Sequence, residues 1–427
     1  MAPPAGVPLL LFGTGAATGA AGFGLAVAHA RLLAAGNFSA PAVVATVHAF
    51  TLGLFTSSLM AALYQWVPVI SRRPLARARL ALWQGVAWSA ALLLFVPGLA
   101  WASLPLLMVG GSLLALGAGL FLWVMAATLH TASEARAPLA FVRSALAYLA
   151  LTVVLGITLD GHLVRVLADL PTSRVLRVHI VVAVGGWLGL TWMGVSGRLV
   201  PMFEVTRPKA GRYRSIVLLM HGAIGSAAVG IARGWPLLDG AAWASGTAAL
   251  ALYLHGVWQA RRPGRLGHRD GPRLLMRAGG LFAAMVWLWG TVALAEPHSR
   301  AGVAVAPLVL GVFLTSLWGF GQKIWPFVIW VSASRRAGPR TLPHLSELWP
   351  PALALGLAVA VPGLVLAVAV PGLVLAAAAG LAFGVPGLVR AGAGGLLAAD
   401  AAVAAAGVRM IRLAAIRRYA AGSRIHG

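Results

Sequence analysis

Apolar runs long enough to cross a bilayer follow one another along nearly the whole chain. Residues 105–129, for example, contain no Asp, Glu, Lys or Arg, and a helix needs roughly 18–20 such residues to span the hydrocarbon core. The runs do not alternate in polarity, as the strands of a membrane barrel would. Composition points the same way: 60% of residues are hydrophobic, 10% are charged and mean hydropathy is +0.88, whereas a soluble domain carries about 25% charge. The expected fold class is all-α, a polytopic membrane protein of about 12 transmembrane helices. The spans are expected near 7–29, 42–70, 79–102, 105–129, 140–160, 178–203, 215–233, 240–260, 274–295, 303–331, 350–374 and 391–412. A kinked outer connection is expected between the last two. MAPPAGVPLL lacks the basic leader of a cleavable signal peptide and runs straight into the first span.

Three spans share a pattern. His48–Ile70, His179–Phe203 and Ala306–Val328 each place a glycine fifteen residues before a proline: Gly53/Pro68, Gly186/Pro201 and Gly311/Pro326. Each also places a polar residue three before that proline, namely Gln65, Arg198 and Lys323. The prolines are 133 and 125 residues apart, a length that holds about four membrane helices with their loops. The chain is therefore expected to form a single transmembrane domain over 1–427, made of three pseudo-repeated four-helix units at about 1–136, 137–270 and 271–427.

The net charge of +24 comes from 33 basic and nine acidic residues. The bases cluster in loops between apolar spans, so they read as topology signals and contacts to anionic lipid headgroups rather than as a nucleic-acid surface. SRRPLARAR, TRPKAGRYR, ARRPGRLGHRD and SRRAGPR all follow even-numbered spans. The positive-inside rule then expects an inner (cytoplasmic) membrane protein with both termini cytoplasmic. The chain has no cysteine, which excludes disulfides, thiolate metal sites and covalent c-type haem through Cys-x-x-Cys-His.

That leaves histidine as the main candidate for chemistry. An ionisable side chain inside a span is costly and is a functional candidate by default. His48 and His179 stand out, because each leads a repeated span on the expected outer side; His221 lies early in the seventh span. The alternative for each is interhelical hydrogen bonding. Arg174, Arg177 and His298 lie at the expected outer rim, and Asp400 is the acid placed mid-span.

Twelve spans in three four-helix units, with His48-Ala49-Phe50 near the outer end of span 2, resemble subunit I of the haem-copper oxidases and nitric oxide reductases. Leu199-Val200-Pro201-Met202-Phe203 closing span 6 is similar to short oxidase-subunit-I-like bacterial proteins. The resemblance covers the whole chain in topology, but only spans 2, 6 and 10 in motif. It implies b-type haem near the outer face, with His48 as an axial ligand. His179 is the best second ligand, with His298 and His29 the other outer candidates, and Arg174, Arg177 and Arg300 sit at the outer rim where propionates would lie. It implies electron transfer or diatomic gas (O2/NO) chemistry, with a cytochrome c or other redox subunit as partner. Copper at His48, His179 or His221 is a weaker implication.

The sequence departs from that family in its ligand set. Span 10 has no His-x-His, His179 is followed by Ile180-Val181-Val182 in place of a His-Pro motif, and span 7 carries one histidine where the family has a pair. A complete binuclear centre is not expected. Two alternatives stand beside this reading. One is a resemblance to the NnrS-like haem- and copper-containing membrane proteins of nitric oxide stress, through His48-Ala49-Phe50-Thr51-Leu52-Gly53. The other is a cofactor-free transporter or scaffold subunit.

Overall fold

Without water to pair its amides, an apolar chain in a bilayer satisfies its backbone internally, which a helix does within one segment. The computed structural model follows that rule. It describes residues 6–130, 137–163, 172–203, 212–259, 271–295, 301–336, 370–402 and 405, and all of the regular structure among them is helical. The spans are α1 (Gly6–Ala28), α2 (Pro41–Ser71), α3 (Ala78–Ala100), α4 (Leu104–His130), α5 (Ala137–Leu163), α6 (Thr172–Phe203), α7 (Tyr213–Arg233), α8 (Pro236–Gln259), α9 (Gly271–Ala295) and α10 (Ala301–Arg336). Ten of the described helices are long and apolar enough to cross a membrane. The chain is a multi-pass helical membrane protein.

Two further helices, α11 (Val370–Phe383) and α12 (386–402), follow in the C-terminal part. Most of the expected eleventh span lies outside the described residues. Its end is a correction: α11 runs on to Phe383, and the expected long connection is a turn at Gly384 and Val385. Gly384 adopts φ +68° and the Val385 N–H reaches back to the Gly380 carbonyl at 2.7 Å. That is a Schellman stop, and Pro386 then starts the next helix with a φ already suited to it. The same device separates α7 from α8, where Gly234 has φ +70°, Trp235 N–H bonds Gly230 O at 3.0 Å, and Pro236 follows.

The chain packs as two compact units, which do not coincide with the three sequence repeats. Unit 1 takes Met1–Thr14 and Thr51–Gly267; unit 2 takes Gly15–Phe50 and His268–Gly427. In unit 1, α3 and α4 meet where small residues let backbones approach. A methyl group built on Gly110 would stand 2.7 Å from the Phe95 nitrogen, and one on Gly117 would stand 3.2 Å from the Trp88 ring. Unit 2 closes on Ala26, Ala30, Leu33, Ala34, Val43, Leu381, Val389 and Ala393. There α11 and α12 pack through Gly380, Gly392 and Gly395, each with no room for a Cβ. Asp400 on α12 is 2% exposed.

Candidate functional site

Both histidine-led spans are irregular at the same place. α2 is α-helical from Pro41 to His48, then winds as a π-helix from Ala49 to Thr56, and returns to α-helix at Ser57. α6 is α-helical from Thr172 to Ile180, π-helical from Val181 to Gly189, and α-helical again from Leu190. In each the histidine stands seven residues past the helix start, and the widened turns begin one or two residues after it. The repeat glycines Gly53 and Gly186 lie inside these segments. α10, which has the repeat glycine Gly311 but no leading histidine, is α-helical from Ala301 to Arg336. Wide turns of this kind are rare and concentrate at functional sites.

Local chemistry supports the widened turns. Thr56 Oγ1 donates to Thr51 O at 2.7 Å and Ser57 Oγ to Leu52 O at 3.3 Å, both five residues back. Two indoles then take up those hydroxyls. Trp187 Nε1–H donates to Thr56 Oγ1 at 3.0 Å, and Trp88 Nε1–H donates to Ser57 Oγ at 2.9 Å. The first of these ties the two π segments together within unit 1. Gly186 lies flat against Tyr148 of α5, where a Cβ would stand 2.5 Å from the ring. Gly311 plays the corresponding part in unit 2, with 2.9 Å to Phe282 and Val374.

His48 is half-buried, and its Nδ1–H donates to Val44 O at 2.9 Å. A carbonyl can only accept, so this bond puts the ring lone pair on Nε2, the arrangement in which a metal-ligating imidazole is normally held. His48 belongs to unit 2 and His179 to unit 1. His179 is half-buried over Gly156 of α5, its Cε1 3.5 Å from a methyl group built there.

The two rim arginines are exposed. Arg174 donates from Nη1 to Ala232 O at 3.1 Å, at the C-terminal end of α7, and Arg177 reaches Ser173 O at 3.4 Å. The first is a helix-end contact of the kind cations make with terminal carbonyls; the second is a local contact to a carbonyl four residues back, in the first turn of α6. His298 lies outside the described residues.

His221 is engaged on both sides. Its Nε2 is 2.9 Å from Ser144 Oγ and its Nδ1 is 2.8 Å from Tyr148 OH, and the Tyr148 ring lies 5.4 Å away at 33°. A metal at His221 would have to displace one of these hydroxyls. The interhelical hydrogen bond is the role this geometry gives it. Among the described residues, no three of His, Asp or Glu come together as a metal site.

Ser144 and Tyr148 were not legible as site residues from their types alone. Their spacing was the available clue: Ser144, Tyr148, Thr152 and Gly156 follow at four-residue intervals, one stripe of α5. That stripe meets His221, Gly186 and His179. No family model matches the chain, and no curated protein matches it.

Proposed function

We propose that this is a haem-binding protein of the cytoplasmic membrane, with His48 as an axial ligand of a b-type haem near the outer face. The observation that carries the reading is the coincidence of histidine and π segment in α2 and α6, and the absence of both from α10. The donor chemistry of His48 fits the group, because its Nδ1–H bond to Val44 presents Nε2 for ligation. A b-type haem supplies one-electron transfer when both axial positions are held, and binds O2 or NO when one is open.

In this reading the chain holds and orients the ring. Val44 fixes the His48 tautomer, and Phe50 packs beside it against Phe23 at 4.8 Å between ring centroids. The outer-rim arginines Arg174 and Arg177 of unit 1 supply positive charge on the outer side. The electron partner is a cytochrome c or another redox subunit, and both termini are cytoplasmic. Copper at His221 would have to displace one of the hydroxyls that engage its two nitrogens.

Haem content by the pyridine haemochrome method, on protein purified from haem-replete cells, tests this. The wild type is expected to carry b-type haem and His48→Ala to lose it. Haem retained in full by His48→Ala would reject His48 as the ligand. A colourless wild type would leave a cofactor-free transporter or scaffold as the reading.

A further inference from the structure

The polar cluster at His221 is left over from the haem reading and does not depend on it. His221 sits eight residues into α7 and Ser144 seven residues into α5, roughly 10–12 Å along the helix axes from their ends at 1.5 Å per residue. Both side chains are half-buried. We propose that His221, held between the hydroxyls of Ser144 and Tyr148, is a reversible proton-binding site within the apolar part of unit 1.

Hydroxyls can do here what carbonyls cannot. A hydroxyl donates or accepts by rotating. In the neutral ring, one nitrogen donates its N–H to one hydroxyl while the other nitrogen accepts an O–H from the second. In the imidazolium, both nitrogens donate and both hydroxyl oxygens accept. The two bonds, at 2.9 and 2.8 Å, therefore survive in either protonation state with only hydroxyl rotation. His48 makes the contrast: its Nδ1 faces the Val44 carbonyl, which ties that nitrogen to the donor role. The Tyr148 ring, 5.4 Å from the imidazole, also offers a π surface that favours a cation.

The proton step balances simply. An incoming proton binds the hydroxyl oxygen that donates to the ring, and that oxygen's original hydrogen moves to the nitrogen lone pair. The ring gains one proton and one positive charge, the hydroxyl is restored, and no bond between heavy atoms changes. Among the described residues, the hydrogen-bond partners of His221 are these two hydroxyls alone.

The elements packed on α7 are α5, α6 and α8. Their other titratable or charged residues are Arg143, Asp160 and His162 on α5, Arg174, Arg177, His179 and Arg198 on α6, and Asp239, Tyr253 and His255 on α8. α7 itself adds Tyr213, Arg214 and Arg233. Among the described residues no acid hydrogen-bonds His221, and the hydroxyls and the Tyr148 ring are what receive its charge.

The test is 15N NMR of histidine-labelled protein in lipid nanodiscs from pH 9 to pH 5, with the His221 signals identified by their loss in His221→Asn. The expected result is a reversible move of both ring nitrogens from one-donor, one-acceptor positions to imidazolium positions. At a given pH within that transition, Tyr148→Phe is expected to hold at least threefold less imidazolium. Ser144→Ala serves as the second variant should Tyr148→Phe fail to fold. His221 signals that keep their neutral pattern down to pH 5 in folded wild-type protein would overturn the proposal. So would a variant that titrates as the wild type does.

Discussion

Gly186 shows how a single missing methyl sets the geometry of unit 1. A Cβ there would stand 2.5 to 2.9 Å from three atoms of Tyr148, and well-packed sites lose about 1–3 kcal/mol when overfilled in this way. Gly186→Ala is therefore expected to lower the thermal unfolding midpoint in detergent. Gly225→Ala, on α7 of the same unit but with nothing within 4 Å of its built Cβ, is expected to leave the midpoint unchanged or slightly raised. The Trp187–Thr56 hydrogen bond makes a second prediction. Trp187→Phe and Thr56→Val should each cost about 0.5–1.5 kcal/mol. A double-mutant cycle should return a coupling between them, because both remove the same bond.

At the scale of the element, the π segment of α6 acts as a register device. A π turn holds one residue more than an α turn, so deleting one residue from it lets the helix close as α. Removing Ala183 is expected to do this and to turn the preceding residues by about 100°, the angle of one α-helical residue. His179 then leaves Gly156. The check is Gly156→Leu, whose side chain meets the His179 ring in the native register. It should cost about 1–3 kcal/mol in the full-length chain and markedly less in the Ala183 deletion. Equal costs in both backgrounds would mean that the π segment does not set the position of His179.

At the scale of the whole molecule, the spans were legible because the bilayer imposes length and polarity together. The start of α3, the end of α4 and both ends of α7 follow from where charge stops and resumes, whereas α3 and α4 are joined by a short uncharged turn. The histidine-led spans were only partly legible. Their shared glycine, proline and polar positions stand in the sequence, but α6 begins at Thr172 and not at about 178, because the polar run TSRVLRV forms its first turns. The π segments carry no composition of their own: Val181–Gly189 reads as an ordinary apolar stretch. The break between α11 and α12 was misplaced because Val-Pro-Gly recurs at 361, 370 and 385, and nothing local says which copy is the turn. Gly384, one residue before the third copy, is the position that takes the left-handed conformation.

The basic loops carry the proposed orientation, with both termini cytoplasmic. With no native cysteine, single cysteines at Arg73 and Ala102 report sidedness without background. A membrane-impermeant maleimide added to intact cells should label Ala102→Cys and spare Arg73→Cys. The reverse pattern would overturn the proposed topology.

The proposed haem on His48 is read from the reduced-minus-oxidised absorption spectrum of the purified full-length protein beside that of His48→Ala. The expected result is a sharp α-band in the wild type that is absent from the variant at equal protein concentration. A wild-type spectrum with no haem band, or a band that persists unchanged in His48→Ala, would contradict it.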